Sequence, residues 1–185
     1  MFNVKKLAFG AALLAASAVC FAAPKVEIVT SEGNIVVNLN EKAAPTTVAN
    51  FVKYANEGFY NGTIFHRVIN NFMIQGGGFD RNLHQKSTHA PIKLEDKNGL
   101  KNTVGTIAMA RTNNPDSATS QFFINLKDND FLNGTSTKDG YAVFGQVVSG
   151  MDVVRKIGRA PTGSKGFMDD VPVRPVIIES VKVLK

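Results

Sequence analysis

Polar and apolar residues alternate with a period of two along much of this chain, which is the pattern of strands that bury one face. Near the start, Val26 and Ile28 flank a glutamate, and a turn rich in polar residues and glycine leads to a second apolar run at residues 35–39. This arrangement predicts a β-hairpin. The pattern also predicts strands at residues 63–69, 72–75, 103–110, 121–125, 142–148 and 176–184.

Two segments have the period of a helix instead. Pro45 can begin a helix because its missing N–H is not needed at the first helical position. Apolar residues then recur every three or four positions through 48–55, and Gly58 follows as a stop. A second, shorter helix is predicted at residues 151–157. Many short strands with two helices indicate a barrel or a sandwich capped by helices.

The first residues form a different kind of segment, which we interpret as a secretory signal at residues 1–22. Two lysines precede an apolar stretch at 7–21 that ends in small residues. We expect cleavage after Ala22, which leaves one domain at residues 23–185. An uncleaved N-terminal anchor is the first alternative. A lipoprotein site at Cys20 is the second, although the residue before it is bulkier than such sites require.

Composition and charge narrow the class of protein further. Hydrophobic residues make up 44% and charged residues 19% of the chain, which is typical of a globular fold. The net charge of +6 is spread among acids rather than clustered, so we predict no nucleic-acid partner. Cleavage would remove the single cysteine, which suits a disulfide-forming compartment. We therefore expect a periplasmic protein, with full secretion as the alternative, and no membrane association after cleavage.

The run at residues 65–79 carries the clearest candidate chemistry. It places Arg67 among β-prone apolar residues, where a guanidinium is rarely left without a partner or a task. The asparagines at 70–71 indicate a turn, and three glycines at 76–78 would end the apolar run. Two polar loops, at residues 112–120 and 127–140, could line a site on the sheet.

Residues two apart on a strand share a face, so three groups of side chains are each expected to lie on one face. They are Phe65 with Arg67 and Ile69, Met73 with Gln75, and Gln121 with Phe123. An arginine and two amides beside Met and Phe describe an apolar pocket with a few polar anchors, as in small-ligand or peptide sites. It stays equally open that Arg67 pairs with a core carboxylate and that the glutamines only satisfy backbone groups.

Other chemistries find less support. His84 and His89 lie in a polar loop without cysteines, and residues 128–130 resemble a calcium loop that lacks its later ligands. The glycines at 76–78 lack the lysine of a phosphate loop, and no nucleophile elbow is present. We therefore predict no metal site and no cofactor.

Together, these motifs resemble those of the cyclophilins. The matching segments are Phe65-His66-Arg67-Val68-Ile69, Phe72-Met73-Ile74-Gln75-Gly76-Gly77, Gly105-Thr106-Ile107-Ala108-Met109-Ala110, Ser120-Gln121-Phe122-Phe123-Ile124, Phe131-Leu132 and Val143-Phe144-Gly145. They follow in order along the whole of the expected mature chain. With its signal sequence, the chain is most similar to the periplasmic bacterial members of the family.

The resemblance implies a closed eight-stranded antiparallel β-barrel capped by two α-helices, with a groove on its outer surface. It implies a peptidyl-prolyl cis-trans isomerase that acts on exported proteins, as a monomer, without covalent chemistry. The alternative is a peptide-binding chaperone or assembly module that uses the same groove. Because a pure binder would not need it, Arg67 favours the enzyme. The implied substrates are proline-containing polypeptides.

The resemblance also assigns residues. Arg67 is the implied catalytic residue, and Gln75 and Gln121 would anchor it and the substrate backbone. The implied substrate-binding residues are Phe72, Met73, Gln75, Ala110, Arg111, Gln121, Phe123, Phe131, Leu132 and Tyr141. At three of these positions the chain departs from common family residues, with Phe131 for Trp, Tyr141 for His and Arg111 for Asn. Because the family's tryptophan contacts cyclosporin, Phe131 implies weak binding of that drug.

Overall fold

The computed structural model describes residues 24–184. The predicted signal at residues 1–22 and its cleavage after Ala22 lie outside the described residues. The elements are β1 (Lys25–Thr30), β2 (Gly33–Leu39), α1 (Pro45–Asn56), β3 (Thr63–Ile69), β4 (Met73–Asp80), β5 (Thr106–Met109), β6 (Phe122–Asn125), β7 (Val143–Ser149), α2 (Met151–Gly158), β8 (Thr162–Lys165), β9 (Met168–Pro172) and β10 (Ile177–Leu184). Short 3-10 turns occur at Pro115–Ser117 and Asp130–Leu132.

Eight of the strands close into an antiparallel barrel in the order β1-β10-β3-β4-β6-β5-β7-β2. The predicted fold class is therefore confirmed. The two remaining strands, β8 and β9, form a separate hairpin that the sequence pattern did not predict. Among residues 24–184, no helix is both long enough and apolar enough to span a bilayer.

Helix α1 begins at Pro45, as its sequence predicts, and has no capping side chain of its own. The carboxylate of Glu95 accepts hydrogen bonds from the backbone N–H groups of Thr46 and Thr47 at 3.1 and 2.9 Å instead. An acid at this end of a helix satisfies free donors and complements the helix dipole. After the helix, Gly58 takes a left-handed conformation with φ of 67°.

Aromatic rings fill the barrel interior. Phe122 meets Phe51 of α1, Tyr60 and Phe65 edge-on, with ring centroids 5.5, 5.6 and 6.0 Å apart. All four residues are fully buried. Edge-to-face contacts are the favourable arrangement for such rings, so this cluster joins α1 to the strands.

An irregularity in β3 corrects one prediction. Phe65 pairs with Gly76 and Arg67 pairs with Gln75, so two steps on β3 match a single step on β4. His66 is the extra residue of this β-bulge, which re-aims the side chains around it. Phe65 lies in the interior, whereas Arg67 is exposed outside. The expectation that these two side chains share a face is wrong.

The three glycines at residues 76–78 do not end the fourth strand, which continues through them to Asp80. An added Cβ at Gly77 would lie 2.8 Å from the Phe122 ring and 2.9 Å from the Tyr60 ring. The glycines therefore admit core aromatics close to the backbone of β4. The predicted strand at 103–110 is shorter in the structure, as β5 starts only at Thr106.

Candidate active site

Nine of the eleven sequence-predicted site residues line one small cavity on the outer surface of the barrel, which we call the groove; Gln121 and Phe131 do not line it. Its volume is about 230 Å³. It is lined by Arg67, Phe72, Met73, Gln75, Ala110, Arg111, Phe123, Leu132 and Tyr141. A larger cavity of about 550 Å³ lies beside β2 and β7, and none of the predicted site residues lines it.

The floor of the groove is apolar. Met73, Phe123 and Leu132 are almost fully buried and form a cluster separate from the barrel interior. At one side the ring of Tyr141 meets Phe123 edge-on, with centroids 5.6 Å apart. This floor suits a small apolar ring, because hydrophobic contact favours a ring that leaves water.

Phe131 lies beside this floor and is more exposed. Its ring stacks on Phe72 with centroids 5.6 Å apart, and 58% of the residue is accessible to solvent. The structure thus brings Phe131 to the rim of the groove, where a bound chain could cover it.

A pair of amides forms one polar wall. Gln75 Nε2 donates a hydrogen bond of 3.0 Å to Gln121 Oε1. An added Cβ at Gly78 would lie 2.5 Å from Gln121 Cγ, so this glycine makes room for the amide pair. Among the described residues, Gln75 makes no hydrogen bond to Arg67, which differs from the expected anchoring.

Arg67 itself extends from β3 with 46% of its side chain exposed. Its Nε lies 3.8 Å from Oδ2 of Asp170 on β9. Sequence reasoning left open a pairing of Arg67 with a core carboxylate. The carboxylate found here is not in the core, because 41% of the Asp170 side chain is exposed.

Arg111 uses its donors within the protein. Its Nε, Nη1 and Nη2 donate to the carbonyl oxygens of Gly140, Thr112 and Asp139 at 2.9, 2.9 and 3.0 Å. Its guanidinium also lies 4.7 Å from the centre of the Tyr141 ring, a cation–π contact. Arg111 therefore braces the loop that carries Tyr141 while it lines the groove.

Buried asparagines hold the groove from behind, and sequence reasoning missed them. Asn129 Nδ2 donates to the carbonyl oxygen of Phe72 at 3.0 Å and to Asn125 Oδ1 at 2.8 Å. Both asparagines are fully buried. The amide of Asn129 thus joins the turn after β3 to the end of β6.

A third asparagine extends this network. Asn102 Nδ2 donates to the carbonyl oxygens of Leu132 and Tyr141 at 3.2 and 3.3 Å, and its Oδ1 accepts from Asn125 at 3.1 Å. Buried polar groups that are hydrogen-bonded in this way fix one arrangement of a core. The asparagine network therefore holds both the segment that carries Phe72 and the segments that carry Leu132 and Tyr141.

His66, the bulge residue beside Arg67, is buried with its ring 4.7 Å from that of Phe79. Burial is the main cause that lowers the pKa of His66 to about 4. The nearby positive charge of Arg67 acts in the same direction, and the backbone of Ile64 partly opposes both. The imidazole is therefore neutral near pH 7 and adds no charge beside Arg67.

The groove offers a fixed cation, an amide pair and an apolar floor. Within residues 24–184, no group of three or more His, Cys, Asp or Glu side chains is placed to hold a metal ion. Such a site can bind an apolar ring next to a polar backbone group and place a positive charge beside it.

A comparison with known families decides the identity. The family model described as cyclophilin type peptidyl-prolyl cis-trans isomerase/CLD matches residues 25–183. The chain belongs to this family. The resemblance inferred from the motifs is confirmed, and the protein is a peptidyl-prolyl cis-trans isomerase whose substrates are proline-containing polypeptides.

Curated relatives match this cyclophilin over most of their length. A peptidyl-prolyl cis-trans isomerase of Acinetobacter baylyi is 56% identical over 180 residues, covering 97% of this chain and 96% of that protein. Peptidyl-prolyl cis-trans isomerase B of Escherichia coli is 60% identical, covering 83% of this chain and 96% of that protein. Peptidyl-prolyl cis-trans isomerase A of Dickeya dadantii is 54% identical, covering 86% and 84%.

Solved structures show the same fold at lower identity. A cyclophilin type peptidyl-prolyl cis-trans isomerase of Cryptosporidium parvum is 26% identical with a TM-score of 0.73, covering 88% of this chain and 98% of that chain. A structure of that protein in the presence of the dipeptide Ala-Pro gives the same TM-score and identity, covering 87% and 99%. The roles assigned to individual groove residues of this cyclophilin stay predictions.

Proposed function

We propose that this isomerase rotates X-Pro bonds by stabilising a twisted amide with the Arg67 guanidinium, and that it does so in exported proteins. Resonance gives such a bond a barrier of about 18–20 kcal/mol. Twisting removes the resonance and makes the prolyl nitrogen a better hydrogen-bond acceptor. A cation placed beside that nitrogen is favoured more in the twisted state than in the planar one, and this difference lowers the barrier.

The observation that carries the proposal is the shared cavity of Arg67 and the apolar floor. Met73, Phe123 and Leu132 would hold the proline ring, and Arg67 lines the same 230 Å³ space. The related Cryptosporidium parvum protein was crystallised in the presence of Ala-Pro, which supports a peptide of this kind as the occupant. Each tenfold acceleration requires about 1.4 kcal/mol of such differential binding.

Substitution of Arg67 tests the mechanism. We expect Arg67→Ala to lower kcat/KM on an X-Pro tetrapeptide by about 10²- to 10³-fold, the usual cost of removing one donor to a transition state. Arg67→Lys keeps the charge but loses the planar guanidinium with its fixed donors. Its activity should therefore lie between that of the parent and that of Arg67→Ala. A protease-coupled assay measures all three proteins.

The loss of activity in Arg67→Ala supports the mechanism only if that variant is still folded. Because Arg67 is half exposed, we expect the free energy of unfolding of Arg67→Ala to stay within about 0.5 kcal/mol of the parent. A stable Arg67→Ala protein with nearly parental turnover would refute the mechanism.

Export is the second part of the proposal. It is supported by the charged, apolar and small-residue segments of the signal at residues 1–22. The family match begins at residue 25, just after the expected cleavage after Ala22. We propose a periplasmic monomer, with proteins that fold after export as clients. N-terminal sequencing of the protein from a periplasmic extract should start at Ala23, and full-length protein confined to the cytoplasm would refute export.

A further inference from the structure

The β8–β9 hairpin lies outside the barrel but brings a carboxylate to Arg67. Strand β9 packs against β3, the strand that carries Arg67. Among the described residues, Asp170 is the one acid within ion-pair distance of Arg67, and the guanidinium makes no hydrogen bond to another side chain or to the backbone. The orientation of Arg67 therefore depends on a segment that is not part of the barrel.

The backbone of Asp170 is unusual. Its φ of 59° lies in the left-handed region, which residues other than glycine rarely adopt. Among those residues, Asp and Asn tolerate it best. A β-bulge accounts for this conformation, because the two steps from Gly163 to Lys165 on β8 match three steps from Met168 to Val171 on β9.

The neighbours of Asp170 hold it in place. Val171, which follows it, is buried with 5% exposed. Asp169, which precedes it, accepts a hydrogen bond of 2.6 Å from the hydroxyl of Ser164 on β8. One side of Asp170 is thus fixed by packing and the other by the partner strand of the hairpin.

The contact also leaves the terminal nitrogens of the Arg67 guanidinium available to another acceptor. Oδ2 of Asp170 approaches the Nε of Arg67 rather than its terminal nitrogens. At 3.8 Å the contact is an ion pair and not a hydrogen bond, so it attracts the guanidinium toward Asp170 and leaves its five N–H donors for another acceptor.

We propose that Asp170 is a positioning residue that holds the Arg67 guanidinium in the orientation used for catalysis. This inference rests on the proposed role of Arg67. Asp170 acts through Arg67 and does not touch the substrate. Its effect should be seen in kcat more than in KM, because it orients a group whose contribution comes in the twisted state.

Three variants test the inference by separating charge from shape. Asp170→Asn keeps the shape and the tolerance for a left-handed backbone, and Asp170→Gly removes the side chain where glycine is conformationally free. Asp169→Asn is the matched control, since it removes the same charge one residue away and keeps an oxygen that can accept from Ser164.

We expect kcat on an uncharged X-Pro peptide to fall by about two- to fivefold in Asp170→Gly, the scale of a partly exposed ion pair. Asp170→Asn should fall less, KM should change little, and Asp169→Asn should match the parent. The thermal midpoint of Asp170→Gly should stay equal to or rise above that of the parent, because glycine relieves the backbone. The NMR resonance of the Arg67 Nε–Hε group should shift in the two Asp170 variants and not in Asp169→Asn.

Two results would overturn the inference. One is an unchanged or increased kcat in Asp170→Gly, and the other is an equal loss in Asp169→Asn. Arg67→Ala in the same assay separates this failure from failure of the mechanism. If Arg67→Ala is inactive and Asp170→Gly is fully active, Arg67 is catalytic and Asp170 does not position it. If Arg67→Ala is fully active, the mechanism itself has failed.

Discussion

The two faces of strand β6 differ in what they do for this cyclophilin. Phe122 and Ile124 point into the barrel, where both are fully buried among other apolar side chains. Phe123, between them, belongs to the groove cluster on the outer face. The inner face stabilises the fold, because its side chains are buried together with many others. The outer face contributes Phe123 to the floor of the groove, which consists of a few side chains.

Strand β3 shows the same division with a complication. On a regular strand, Phe65 and Arg67 would lie on the same face, yet one is in the core and the other in the groove. The bulge at His66 makes this possible. A site on a barrel thus depends on local departures from the regular pattern that stabilises the barrel.

The neighbouring phenylalanines of β6 test whether its two faces have separate roles, and we expect the largest effects there. We expect Phe122→Ala to lower the free energy of unfolding by about 3–5 kcal/mol, because it opens a cavity in the aromatic interior. Urea unfolding measures the change. The folded fraction should keep nearly parental kcat/KM, because the groove is on the other face.

Phe123→Ala is the matched control. Its stability loss should be smaller, since the space it leaves opens toward the groove and water can enter. Its kcat/KM should fall sharply, because the substitution removes part of the apolar floor that we propose as the binding surface for the proline ring. If both variants lost stability and activity in the same proportion, the two faces would not be separate in function.

The bulge residue His66 should make the stability of the fold depend on pH. His66 stays neutral in the folded protein down to a pKa of about 4, whereas an exposed histidine takes up a proton near pH 6.5. The unfolded chain therefore binds the proton first, and stability falls as the pH decreases between these values. From about pH 7.5 to about pH 5 the loss should be about 2 kcal/mol.

Substitution at His66 should remove that dependence. We expect His66→Phe, which keeps a ring against Phe79, to show a flatter profile of unfolding free energy over the same range. His84→Gln is the control, because the His84 side chain is 79% exposed. A profile for His66→Phe as steep as that of the parent would mean that other groups cause the acid sensitivity.

The buried amide network gives a third test, at the wall of the groove that carries Phe72. Asn129→Ala removes the donor to Asn125 and one of the two donors to the Phe72 carbonyl, which keeps its bond from the Leu126 N–H. We expect a loss of about 1–3 kcal/mol in stability. The KM for an X-Pro peptide should rise severalfold, because the wall that carries Phe72 loosens.

An exposed asparagine serves as the control for the network. Asn113→Ala, in the loop at residues 112–120, should change neither stability nor KM. An Asn129→Ala protein with parental KM would show that the network supports the fold without shaping the groove.

Barrel strands such as β1 and β2 were predictable because apolar, mostly β-branched residues alternate with polar or half-buried ones at a period of two. The β8–β9 hairpin was not, since all four residues of Thr162–Lys165 are exposed and no alternation marks them. The bulge at His66 was equally hidden, because it arises from how β3 pairs with β4 and not from either strand alone.

The groove residues were found through family motifs, but the contacts that hold them were not. Asn102 and Asn129 lie in loops, where asparagine is common for local reasons, so nothing in the sequence marks them as one network. Asp170 is more than a hundred residues from Arg67 in the chain. The contact between Asp170 and Arg67 depends on the left-handed backbone at Asp170, which the sequence pattern does not predict.

Closure of the barrel bears on how such a catalyst survives among its substrates. Within residues 24–184, each barrel strand has hydrogen-bonded neighbours on both sides. Unfolded chains tend to add as extra strands to exposed sheet edges, which is how many aggregates grow. A closed ring leaves the barrel no edge strand to extend, so among the described residues the short β8–β9 hairpin is the sheet with edges where such pairing could start.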